Sequence, residues 1–325
     1  MKRNAVALTF ALLFSLALAG RPQLPQYSIV DLGLLPGGTF AEAHDVNNRG
    51  QIVGSGDNAA GNFRAILWEN GQVIDLGTLG GALSRAWGIN DRGQIVGETD
   101  VDPEWHAFLW QRGEMFDLAE AGPFNRAFAI NGRAEIVGHY QFDALLWRRG
   151  ILTNLGILSA VDINDRGVIV GNDTTSGTFH AVVWNDGEVT DLGTLPGDTS
   201  SAARAINNVG QVVGESSGDD GIHAFVWDDG EMIQLPGFLE SSVWARGINN
   251  RGQIVGASYT DPNVMGGAAR GVLWTNGVPT NLGTLPGQPL SSAAAINDHG
   301  LIVGFSGGGG VQANDGRAVA WIPRR

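Results

Sequence analysis

Three histidines, four arginines and a scatter of carboxylates are the residues of this chain best suited to chemistry. His106, His180 and His223 each open a short apolar run, His-Ala-Phe or His-Ala-Val, and three imidazoles in like settings invite a metal centre. Each, however, begins a strand in a separate unit. With strands about 4.8 Å apart, like positions in adjoining sheets lie on the order of 13–17 Å from each other. One zinc ion, with ligands within about 2.3 Å, does not span that gap. Elsewhere the same position holds Arg64, Asp143, Arg270 or Arg317, so a polar group at a strand entrance is expected and no metal is assigned. Arg85, Arg126, Arg204 and Arg246 fall on one side of their strands in a chain that is otherwise acidic. They could receive a carboxylate or other anion at a channel mouth, or pair with Glu42, Asp45 and Asp162. Trp105 and Trp244 stand outside the register of the other tryptophans, where exposed indoles would suit stacking on sugar rings. Asp100, Asp102, Glu104, Asp219 and Asp220 lack the alternating oxygen spacing of a calcium loop and are expected to be solvated surface. His44-Asp45 is the nearest thing to a catalytic pair, and one adjacent pair is a weak signal.

What must position these residues is a repeat. A tryptophan closes an apolar run at Trp68, Trp110, Trp147, Trp184, Trp227, Trp274 and Trp321. In step with it come Asn47, Asn90, Asn131, Asn164, Asn207, Asn249 and Asn297, each after Ile or Val. A β-branched pair then precedes Gly54, Gly97, Gly138, Gly171, Gly214, Gly256 and Gly304. Three markers, seven times each, in one order, define a seven-fold repeat of about forty residues.

Each unit reads as four strands. In the second, Ala86–Ile89 is followed by the turn Asn90-Asp91-Arg92-Gly93, with Asn and Gly at the positions where a tight turn favours them. Gln94–Gly97, His106–Trp110 and Glu114–Leu118 complete a meander. Asn70-Gly71, Asp186-Gly187, Asp229-Gly230 and Asn276-Gly277 mark the last hairpin of their units. The strands are apolar at most positions, so both faces should be buried, as in the stacked blades of a propeller. Tyr27–Gly33 matches a fourth strand and the last unit lacks one, so the expected architecture is an all-β, seven-bladed β-propeller of four-stranded antiparallel blades. Its N-terminal strand would complete the C-terminal blade and close the ring.

Units containing His106-Ala107-Phe108 and His223-Ala224-Phe225, with Asp-Leu-Gly and Asn-Asp-x-Gly-x-Ile-Val-Gly signatures, resemble the HAF repeats of bacterial extracellular proteins over residues 27–325. The resemblance implies a secreted repeat protein and supplies no catalytic residues. The third and fourth units are short, and Ala134 replaces the usual turn glycine.

Lys2-Arg3, an apolar run from Ala5 and the exit Ala17-Leu18-Ala19 read as a cleaved secretory signal over 1–19, with a short linker at 20–26 and the propeller at 27–325. The run is shorter than the roughly 20 residues a membrane span needs. The remaining chain carries 18 arginines against 33 acidic residues, which argues against nucleic-acid binding. With no cysteine, thiol chemistry and disulfides are excluded. No cofactor is implied, and the absence of a sialidase Asp-box and of a quinone-binding motif argues against an enzyme.

The turns after the first and third strands are short, whereas the connections between second and third strands vary, and function is expected on that variable face. The function expected is a secreted or periplasmic binding platform, a monomer whose partner is a protein, glycan or small anionic ligand. The alternatives are a structural cell-surface role without a discrete ligand and, third, a propeller-type hydrolase or lyase.

Overall fold

The computed structural model describes residues 27–174, 177–238, 242–259, 269–308 and 315–324. The leader and linker expected at 1–26 lie outside the described residues. Among those residues are 28 strands in seven four-stranded antiparallel sheets, and the only helix is one 3-10 turn, Ala119–Ala121. In six blades the strands pair in sequence order. In the seventh, Tyr27–Asp31 pairs antiparallel with Arg317–Pro323, setting Ile29 opposite Trp321.

The apolar strands are explained by what lies between the blades. Seven hydrophobic clusters each draw on two neighbouring sheets, so every sheet is covered on both faces. The repeated tryptophans belong to these interfaces: Trp274 and Trp321 are fully buried, and Trp68 and Trp274 donate their indole N–H to Gly33 and Pro236 carbonyls at the preceding blade. The hairpins closing blades 1, 4, 5 and 6 have positive φ at both Asn/Asp and Gly, the conformation those dipeptides favour. Ala134 holds φ 60° where other blades use glycine, and blade 3 forms nonetheless.

The repeated asparagine does more than begin a turn. Its Oδ1 accepts two N–H groups of its own turn, as Asn47 does from Arg49 and Gln51. Its Nδ2 donates to the backbone carbonyl of the corresponding asparagine in the next blade. The series runs from Asn47 to Asn90, Asn131, Asn164, Asn207, Asn249 and Asn297 and back to Asn47, with all seven bonds between 2.9 and 3.1 Å. The following residues form a second ring of side chain to N–H bonds, interrupted at Asp91 because the next position, Gly132, has no side chain. Both rings surround one mouth of the central channel.

Every innermost strand is bulged at the same place. The pairing register shifts across His44, Trp87, Phe128, Val161, Arg204, Arg246 and Ala294. The repeated glycine on the adjacent strand makes the bulge possible. A Cβ at Gly97 would sit 1.9 Å from the Arg85 carbonyl oxygen, and at Gly256 1.8 Å from that of Trp244. These glycines are required by space, since their φ is not in the left-handed region.

Candidate functional site

A β-bulge re-aims a side chain out of the strand's alternation. Here seven bulges, one per blade, turn His44, Trp87, Phe128, Val161, Arg204, Arg246 and Ala294 into the channel at the face opposite the asparagine rings. Together with Glu215 and Trp244 they line a cavity of about 350 Å³. That lies at the lower end of the range for small-ligand sites. The repeat places alanine before each bulge and Asp, Gly or Ala after it, while the bulged position is histidine, aromatic, aliphatic or arginine.

The ring has two unlike halves. Blades 1–3 supply an aromatic arc. His44 stacks on Trp87 at 4.4 Å, Trp87 meets Phe128 edge-on at 6.4 Å, and Phe128 meets His139 at 5.1 Å. The Trp87 Nε1–H is buried without a hydrogen-bond partner among the described residues, an unsatisfied donor in the site wall. His44 Nδ1 lies 2.7 Å from the Ala86 carbonyl and so donates to it, while Nε2 lies 3.1 Å from Glu42 Oε1. Burial would raise the Glu42 carboxyl, but the hydrogen bond and charge of His44, with Ser55 and Arg85, hold it below its ordinary value.

Blades 5 and 6 supply a cationic arc. Arg204 donates twice to Glu215 Oε2, at 3.0 and 2.7 Å. Arg246 is exposed and has neither an ion pair nor a hydrogen bond among the described residues. Trp244 stands beside it, packed edge-on against Tyr259 at 4.5 Å.

The four arginines anticipated from the sequence therefore do not gather into one group. Arg204 and Arg246 reach the cavity, whereas Arg85 and Arg126 clamp Glu98 from either side, with its side chain only 1% exposed. Arg85 also lies over Phe63 and Trp105, and Arg126 over Trp87 and Phe128. Trp105 is not among the residues lining the cavity.

The alternative of pairing with Asp45 and Asp162 is corrected as well, since Arg85 and Arg126 pair with Glu98 and Arg204 with Glu215, each glutamate one residue past the repeated glycine. Asp45 and Asp162 follow the bulge and line the channel neck. Each accepts the N–H of the residue after it and that of an isoleucine in the next blade, Ile89 or Ile206. Burial pushes Asp45 up to about 6 and Asp162 up to about 7, against the opposing pull of those N–H groups.

The histidines lie apart, as their spacing implied. His106 pairs with Asp117 and His180 with Asp191 in their own blades, while His223 pairs with Asp198. Among the loop acids, Asp100 accepts the Ala82 and Leu83 N–H groups and so serves the backbone. Sequence reading missed Trp87 and Phe128 as site residues. Their signal was variation at one fixed offset, three residues before each repeated asparagine.

No protein-family model matches the chain, and no curated protein sequence matches it. Among solved structures it is similar to the β-propeller domain of the Trilobed protease from Pyrococcus furiosus, described as having an open velcro topology. That likeness has 13% identity and a TM-score of 0.59, over 87% of this chain and 94% of that one. It is also similar to a streptogramin B lyase, at 10% identity and a TM-score of 0.55, over 92% and 98% of the two chains. These likenesses show the fold: the chain is a seven-bladed β-propeller. No helix among the described residues is long and apolar enough to cross a membrane.

Proposed function

We propose that this propeller is a binding module whose channel mouth takes an acidic glycan, one sugar ring lying on the aromatic arc and its carboxylate on Arg246. The observation that carries this reading is an unpaired guanidinium, next to Arg204, in a cavity of a chain with net charge −13. Arginine presents a planar fork that matches a carboxylate, and in a half-enclosed site that match gives both orientation and affinity. The His44–Trp87–Phe128 wall offers apolar surface against which the C–H groups of a sugar ring can be buried. The leader-like sequence at 1–19 and the resemblance to HAF repeats support a secreted or periplasmic location, where glycans are encountered.

A catalytic reading, as a hydrolase or lyase, has one observation in its favour: Asp45 and Asp162 face the neck with raised carboxyl pKa values. The N–H groups that hold both oxygens of each carboxyl make them inter-blade fasteners, and binding remains the better-supported function.

A thermal-shift screen of the full chain with uronic-acid oligosaccharides and their neutral counterparts tests the proposal, because a ligand that prefers the folded state raises its Tm. A dose-dependent rise with the acidic sugars, absent with the neutral ones, is expected. A flat response to both removes the acidic-glycan reading.

A further inference from the structure

Blade 5 breaks the repeat at three positions that meet in space. In blades 1, 2 and 4 a basic residue entering the third strand pairs with an aspartate on the fourth strand: Arg64 with Asp75, His106 with Asp117, and His180 with Asp191. In blade 5 that aspartate is replaced by Gln234. A new carboxylate appears across the loop at Asp198, where blades 1 and 2 have Gly38 and Gly81. Room for it comes from Gly218, whose added Cβ would lie 2.7 Å from Asp198 Oδ1.

The consequence is a different set of contacts for His223. Its Nδ1 lies 3.2 and 3.1 Å from the two Asp198 oxygens, and its Nε2 lies 3.8 Å from Asp220 Oδ2. One ligand atom from each of the three residues lies within 4.8 Å of the others. The Asp198 side chain is 2% exposed, and its carboxylate accepts none of the loop N–H groups that hold Asp57 and Asp100 in blades 1 and 2. Asp220 is 79% exposed, and a cleft between blades 5 and 6, lined by Asp220, His223 and Ser242, leaves open coordination positions to solvent.

We propose that Asp198, Asp220 and His223 bind one first-row divalent transition ion of the zinc type. One imidazole and two carboxylates suit such an ion, whose bonds to nitrogen and oxygen run about 2.0–2.2 Å. One ligand atom from each residue lies within 4.8 Å of the others, so with a small movement the three can converge on one centre at that radius through a single imidazole nitrogen. The buried Asp198 and the partly buried His223 supply the fixed ligands, and the exposed Asp220 closes on the ion as it arrives.

The test is calorimetric titration of Zn²⁺ into the tag-free full chain and into the His223→Ala, Asp220→Ala and His106→Ala variants. One zinc per chain is expected, with affinity at least about tenfold weaker in the first two variants and unchanged in the third. Because the Asp220 side chain is exposed, its variant should keep the parent Tm without metal, separating lost ligation from lost fold. Absence of zinc binding, or binding that survives both His223→Ala and Asp220→Ala, overturns the proposal.

Discussion

Asp45 and Asp162 are the side chains whose protonation most directly couples this fold to pH. A carboxyl whose folded pKa stands above its ordinary value of 3.8 binds its proton more tightly in the folded chain. The stability this contributes is complete below about pH 4 and is lost as pH rises through 6 and 7. His139 acts in the opposite sense, since burial and then Arg126 hold it below its ordinary value of 6.5. The difference between wild type and Asp162→Asn is therefore the clean readout. We expect the wild type's advantage over that variant to shrink by on the order of 2 kcal/mol between about pH 5 and about pH 8, measured by denaturant unfolding. A pH-independent difference would mean that Asp162 is ionised throughout. At this scale the sequence was only partly legible. Arg204 and Arg246 were visible as basic residues in an acidic chain and Trp244 as a tryptophan out of register, but Glu98 and Glu215 were not visible as arginine partners, because those contacts run between strands and blades.

The bulge is the element that makes the site. Its existence depends on the repeated glycine, so Gly214→Ala, whose Cβ would meet the Ala202 carbonyl at 2.0 Å, should flatten the bulge that presents Arg204. A loss of about 2–4 kcal/mol is expected by denaturant unfolding, the range for overpacking combined with broken strand pairing. A neutral substitution would show that the bulge tolerates a side chain beneath it. The strands and hairpins could be read in advance because tryptophan, asparagine and glycine recur at fixed offsets and each has a local reason to do so. The bulge could not. Inserting one residue per strand changes which face a side chain takes without changing composition, so Trp87 and Phe128 looked like ordinary strand residues.

Over the whole molecule, two closures keep the ring intact. One is the cycle of asparagine amides, each bonded to the next blade. The other is the pairing of Tyr27–Asp31 with Arg317–Pro323. Deleting residues 1–31 should bare the strand that carries the buried Trp321 and leave an open sheet edge. Size-exclusion chromatography should then show association of the truncated chain where the full chain runs at a smaller size. An unchanged elution would mean that the asparagine cycle alone suffices. The seven-fold ring was legible from counting alone, whereas the inter-blade role of the asparagines was not, because each partner stands 33 to 48 residues away along the chain, or 250 at the ring's closure.

The central claim is that seven bulged residues at one channel mouth form a site for a ring-bearing anion, with Arg246 as the anchor. Its most direct test is calorimetric titration of a uronic-acid oligosaccharide into the wild type, Arg246→Ala, and Asn208→Ala at the opposite mouth. The account predicts binding to the wild type, a loss of about 2 kcal/mol or more in Arg246→Ala, and wild-type affinity in Asn208→Ala. Binding that is equally strong in Arg246→Ala, or that fails in Asn208→Ala while that variant stays folded, would contradict it.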